Sequence, residues 1–214
     1  MTTQRLAYPI SIRAEPLVPR FVECVHAGGV IGYPTETVYG LGGDALNTRT
    51  IERIYRLKGR AFRNPLLVLV RDRDMLKETV RSIPSQADVL IRAFWPGPLT
   101  LIFEKCVRIP GALTGGSGTV AVRMSPDPFC RFVFTWFDRP LISTSANPSG
   151  AVPAQTEADL IRYFGGKIDW AVDGGKRQNT TPSTLLDLTC IPPRLVREGG
   201  VTGKQIELCI GAVS

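Results

Sequence analysis

Several short groups of residues in this 214-residue sequence carry chemical potential. The first is Thr35-Glu36-Thr37, which follows the apolar Val30-Ile31 and the breaking Pro34 and precedes glycines at 40, 42 and 43. A strand running into a polar, glycine-bearing loop presents backbone N–H and hydroxyl groups to a small ligand. Glycines used only for turn geometry are the competing reading. Lys58 and Arg60 flank Gly59 at the end of an amphipathic run, where cations also serve as helix C-terminal caps. Ser145 and Asn147 offer a hydroxyl and an amide, or simply form the turn before Pro148. Arg123 and Arg197 end apolar runs and are either ligand-binding forks or surface charges at strand ends.

Whole classes of chemistry are absent. The single histidine, His26, falls late in an apolar-periodic segment and reads as a helix-end residue, so neither a Ser-His-Asp triad nor a histidine-rich metal site is available. The five cysteines are scattered with no CxxC, which supports neither a disulfide framework nor a zinc site, and no metal-ligating residue is expected. The Gly203-Lys204 pair is followed by Gln205, and position 198 is Glu where a P-loop needs Gly. No GxGxxG follows a first strand. The formal net charge is +7, and 20 of the 26 basic residues are arginine. Guanidinium forks match phosphate and carboxylate bidentately, so anionic ligands such as nucleotide or nucleic acid are expected. An arginine-biased but ordinary solvated surface is the alternative. No apolar run approaches the ~18 residues of a membrane helix, and the N-terminus lacks a signal-peptide core, so a cytoplasmic protein is expected.

The elements that must position these residues alternate along the chain. Leu17, Val18, Phe21, Val22 and Val25 predict a helix over 16–27, stopped by Gly28-Gly29. Asn47 is a suitable N-cap for a second helix ending at Lys58-Gly59-Arg60. Leu66 to Val70 reads as a buried strand, followed by two short helices between Asp72 and Phe94. Trp95-Pro96-Gly97-Pro98 is a rigid turn leading into a strand over 99–103. Further strands are predicted at 119–124, 141–142, 170–172, 183–188 and 194–197, with helices at 127–137, 157–164 and from 203. Interleaved strands and helices without repeats or a long linker predict one α/β domain over residues 1–214, with helices on both faces of a mixed sheet.

The blocks PTETVYGLG (34–42), KGR (58–60), FWPGPLTLIF (94–103), TVAVRM (119–124), STSANPSG (143–150), PST (182–184) and LVREG (195–199) occur in this order. Together they resemble the YrdC family, in its short-form threonylcarbamoyl-AMP synthase branch. The paired K-x-R and S-x-N signatures, Lys58/Arg60 and Ser145/Asn147, separate that branch from YciO-like relatives. The resemblance implies a three-layer α/β sandwich around a twisted mixed sheet with a basic concave face. It implies conversion of L-threonine, bicarbonate or CO2, and ATP into threonylcarbamoyl-AMP and pyrophosphate, usually with Mg2+. A partner enzyme system then transfers the threonylcarbamoyl group to tRNA. By motif position, Lys58 and Arg60 would meet ATP phosphates and the carbamate. Thr35, Arg123 and Ser183 would bind threonine, with Arg123 forking its carboxylate. Thr119, Ser145 and Asn147 would bind the nucleotide, and Arg197 phosphate.

Two positions depart from the family pattern. Ala61 stands where proline usually follows KGR, and Leu69 stands where long-form relatives carry histidine. The chain ends at Ser214, as expected of the short form. A carbamoyl-adenylate former of the hydrogenase-maturation type lacks support, since no acylphosphatase or zinc-finger segment is visible. A non-enzymatic factor binding double-stranded RNA or tRNA, or acting in ribosome maturation, matches the charge, but no RNA-binding motif accompanies it.

Overall fold

The computed structural model describes residues 2–10, 15–178 and 181–214. It opens with β1 (Gln4–Ala7), a 3-10 turn (Glu15–Leu17), α1 (Val18–His26), β2 (Ile31–Tyr33), β3 (Gly40–Gly42) and α2 (Thr48–Lys58). Next come β4 (Leu67–Leu69), α3 (Arg73–Thr79), α4 (Ser85–Phe94), β5 (Leu99–Glu104), β6 (Thr119–Arg123) and α5 (Pro128–Phe134). The chain continues through β7 (Leu141–Ile142), β8 (Thr144–Ser145), α6 (Glu157–Phe164), β9 (Trp170–Asp173), β10 (Thr184–Asp187), β11 (Arg194–Arg197) and α7 (Gly203–Ile210).

Local rules account for most boundaries. The Asn47 side chain accepts from Arg49 N at 3.0 Å and Thr50 N at 3.4 Å, capping α2. Gly59, at φ 58°, ends that helix in the left-handed conformation glycine adopts without strain. Ile51, Ile54 and Tyr55 turn inward from α2, as their spacing requires. His26 is the last residue of α1, with Nε2 3.0 Å from the Trp136 carbonyl.

The strands form two mixed sheets, ordered β1-β9-β2-β3-β8 and β11-β10-β5-β6-β4-β7. They meet where Ile142 N donates to Gly43 O at 2.8 Å and Asp44 bridges Leu141. Gly42 is required at this seam, because a Cβ there would collide with the Ile142 carbonyl oxygen. Residues 34–43 are therefore only partly the loop that the sequence suggests: Gly40–Gly42 is a strand paired antiparallel with β2. The aromatic core joins the layers, with Phe21 edge-on to Trp170 at 5.7 Å and to Phe129 at 5.9 Å. Among the described residues, no helix is long and apolar enough to cross a membrane.

Candidate active site

One face of the six-stranded sheet forms the floor of a cavity of about 460 Å3. Strand alternation decides which side chains reach it. On β5, Thr100 and Ile102 line the cavity, while Leu99, Leu101 and Phe103 are core. Register places Arg197 opposite Leu185, Leu185 opposite Thr100, Ile102 opposite Ala121, and Ala121 opposite Leu67. All six of those side chains line the cavity. The opposite wall comes from the β2–β3 connection (Thr35, Thr37, Val38, Tyr39) and from Ser143 to Ser145.

Arg123, at the end of β6, is the buried cation of the site, 4% exposed. Its Nη1 forms an ion pair with Glu36 Oε1, while its buried Nε has no hydrogen-bond partner among the described residues. Burial lowers its pKa, and Arg197 adds to that effect, yet a guanidinium remains charged throughout the physiological range. An orphaned charged donor in a buried place is costly unless a ligand satisfies it.

Arg197 and Ser183 are coupled across β11 and β10. Arg197 Nη2 donates to Ser183 O at 2.8 Å, and Ser183 Oγ lies 2.8 Å from Thr100 Oγ1. Partial burial lowers the pKa of Arg197. Arg60 lines the cavity half-buried and donates from Nε to Asn64 O at 3.1 Å and from Nη2 to Pro65 O at 3.0 Å. Thr35 lines the cavity, but its hydroxyl donates to Val38 O at 2.6 Å, so toward a ligand it has only lone pairs to offer.

The structure thus gathers Thr35, Arg60, Arg123, Ser145, Ser183 and Arg197 around one cavity. Lys58, Thr119 and Asn147 are not part of its lining. Thr119 shares the β6 face of Ala121 and Arg123 but lies farther along, with Oγ1 3.2 Å from Ser117 Oγ. Lys58 is 3% exposed, and its Nζ donates to Ser145 O, to Asn147 O at 2.7 Å and to Asn147 Oδ1 at 3.5 Å. Burial pushes the Lys58 pKa down to about 7, with the nearby positive charge of Arg60 contributing. Asn147 Nδ2 in turn donates to Pro148 O at 2.9 Å and Ala151 O at 2.8 Å. The two signature pairs therefore meet each other directly: Lys58 pins the backbone of the Ser145–Asn147 segment.

Sequence reasoning gave no role to Thr100, Thr144 or Tyr39, all of which line the cavity. A polar residue on the inward parity of an otherwise apolar strand, as Thr100 is, is the available signal. Arg177 also went unremarked. It donates to Asp127 Oδ2 at 3.0 Å and lies over the Tyr39 ring at 6.0 Å, tying the segment after β9 to this wall. Burial raises the Asp127 pKa, an effect that Arg177 opposes.

A family profile described as "Telomere recombination", that of Sua5/YciO/YrdC, matches residues 23–199. The chain belongs to the Sua5/YciO/YrdC family. Curated members include the threonylcarbamoyl-AMP synthase of Pyrococcus abyssi, 39% identical over 189 residues, covering 88% of this chain and 56% of that protein. Another, from Thiobacillus denitrificans, is 41% identical over 165 residues, covering 75% of this chain and 85% of that protein. The structure of P. abyssi Sua5 complexed with L-threonine superposes with a TM-score of 0.92 at 35% identity, covering all of this chain and 62% of that one. The chain thus spans little more than half the length of the Pyrococcus member, and most of the Thiobacillus one. The YrdC-like α/β architecture expected from the sequence motifs is the one observed, with its hydrogen bonding divided between two mixed sheets.

Proposed function

We infer that this chain is an L-threonylcarbamoyl-AMP synthase, acting as a single domain in the cytoplasm. The observation that carries this reading is the buried Arg123, whose Nε has no hydrogen-bond partner among the described residues, in a cavity also lined by Arg60, Arg197 and the hydroxyl residues Ser145 and Ser183. A substrate carrying a carboxylate and phosphates matches that donor set. The related Sua5 structure complexed with L-threonine and the synthase names of the similar proteins point to the same chemistry.

In this reading Arg123 forks the threonine carboxylate, and Ser183 and Thr35 lie alongside. The unprotonated amine of threonine adds to CO2 and gives up one proton to solvent, and the carbamate so formed is an anion whose oxygen is nucleophilic without a further base. A carbamate oxygen forms a bond to the α-phosphorus of ATP as the bond to the β-phosphate oxygen breaks, and pyrophosphate leaves with that electron pair. Catalysis then consists of positioning and charge neutralisation. Arg60 and Arg197 neutralise phosphate charge from opposite sides of the cavity, while Ser145 binds the nucleotide. In this reading Lys58 acts through the Ser145–Asn147 backbone to which its Nζ donates, and Asn147 acts from the same segment. Thr119 contributes from the end of the same β6 face.

Magnesium usually accompanies nucleotidyl transfer. Among the described residues no cluster of three or more His, Cys, Asp or Glu side chains could hold a metal ion, and Glu36 is committed to Arg123 and Ser125. A nucleotide-bound magnesium ion needs only one or two protein carboxylates, so in this reading it would arrive on the ATP phosphates. The product would be passed to threonylcarbamoyl-transfer enzymes acting on tRNA.

The test is pyrophosphate release from ATP with threonine and bicarbonate omitted in turn. Release should require both. Equal release without threonine would refute the synthase reading.

A further inference from the structure

Glu36 stands between two cavity-lining threonines, yet it is not itself among the lining residues. Its carboxylate is spent on two partners. Oε1 is ion-paired with Arg123 Nη1, and Oε2 accepts from Ser125 Oγ at 2.6 Å. Ser125 Oγ also accepts from Asp127 N at 3.2 Å, and Asp127 caps α5 by accepting from Phe129 N at 2.8 Å. Glu36 is thus anchored to the start of a helix, and through Glu36 so is the guanidinium of Arg123.

A guanidinium offers a planar fork of five N–H donors, and a carboxylate can dock on two of them side by side. Here Nη1 is ion-paired with Glu36 Oε1 without a hydrogen bond between the two, while the buried Nε has no partner of either kind among the described residues. The edge left for a ligand carboxylate is the one containing Nε. Without the carboxylate at Nη1, the side chain would be free to swing and offer either edge. Holding it in one orientation removes an ordering cost otherwise met on binding.

We propose that Glu36 is a positioning residue for carboxylate recognition: by occupying Arg123 Nη1 it fixes the guanidinium so that its Nε edge receives the amino-acid carboxylate. This rests on the synthase reading of the cavity. The role needs an acceptor at Oε1 rather than a negative charge, so an amide should serve where a truncated side chain does not. One immobilised side chain is worth about 2- to 12-fold in affinity, and a long, five-donor arginine falls toward the upper end.

The experiment is calorimetric titration of L-threonine, and separately of a non-hydrolysable ATP analogue, into the parent, Glu36→Ala, Glu36→Gln and Ser125→Ala. Glu36→Ala should weaken threonine binding about 10-fold, Glu36→Gln by less than about threefold, and Ser125→Ala to an intermediate degree. Affinity for the ATP analogue should stay within about twofold in all of them, and kcat at saturating threonine should fall far less than kcat/KM. If Glu36→Ala does not fold, the Gln and Ser125 variants still carry the comparison. Unchanged threonine affinity in both Glu36→Ala and Ser125→Ala would overturn the proposal while leaving the synthase reading intact. So would equal losses for both ligands, or a collapse of kcat in Glu36→Gln. A parent that binds no threonine would overturn the reading of the cavity, and this proposal with it.

Discussion

Replacing Lys58 with methionine keeps the apolar stem and removes the ammonium. If Lys58 were an exposed helix-end charge, the cost would be about 0.3–1 kcal/mol and independent of pH over the neutral range. In the structure it is buried, and it donates to Ser145 O, Asn147 O and Asn147 Oδ1. Removing those donors leaves buried oxygens unsatisfied, at about 1–3 kcal/mol. The pH dependence is more diagnostic. Burial lowers the folded-state pKa of Lys58 to about 7 from 10.5, so above about pH 7 the unfolded chain holds the proton more tightly than the native state. Stability contributed by this group therefore rises with pH, by at most about 1.4 kcal/mol per pH unit, between the folded pKa of about 7 and the unfolded value of 10.5. Denaturant titrations of parent and Lys58→Met at several pH values should show a stability gap that widens toward alkaline pH. Pyrophosphate release should also fall, because the Ser145–Asn147 segment loses its anchor. A gap below about 0.5 kcal/mol that stays flat with pH, together with parent-like turnover, would refute the burial and the anchoring role alike.

Other outcomes follow from the same geometry. Arg60→Ala, at a half-buried position whose two hydrogen bonds go only to the nearby carbonyls of Asn64 and Pro65, should melt within a few degrees of the parent but lose turnover by about 10²–10³, read as a melting curve and a steady-state rate on one preparation. The +7 charge should give weak tRNA binding that falls steeply between low and physiological salt; salt-independent affinity in a filter or fluorescence titration would count against a basic RNA face. Burial pushes the Cys130 thiol up to about 12, so at mild alkaline pH a thiol reagent should reach Cys130 only at the rate of unfolding, followed by mass spectrometry of the labelled peptide.

Much of this is legible in the amino-acid sequence. The Asn47 cap, the Gly59 stop and the apolar spacing of α2 are local signals, and each falls where the sequence puts it. Strands β5 and β6 read clearly because their composition and bounding turns agree. What stayed hidden depends on partners far away in the chain. β3 is Gly-Leu-Gly, with little intrinsic strand preference, and forms because β2 and β8 flank it. β1 buries only Leu6 and pairs with β9, Gln4 opposite Trp170, about three quarters of the chain away. The division into two sheets turns on Ser143, the single residue between β7 and β8. For the site, motif order named Arg123, Ser183 and Arg197, but not that Glu36 holds Arg123 or that Thr100 meets Ser183, 83 positions away. For Lys58, nothing local announces that its stem runs inward to the carbonyls of Ser145 and Asn147.

The central claim is that Arg123 occupies the substrate's carboxylate, leaving a carbamate on its nitrogen as the group that attacks ATP. The most direct measurement is mass spectrometry of the product formed from ATP, L-threonine and carbon-13 bicarbonate. An adenylate carrying both threonine and the labelled carbon, present with the parent and lost in Arg123→Ala, is the expected result. An adenylate containing threonine but no labelled carbon would mean that the carboxylate itself had been activated, and would contradict the account.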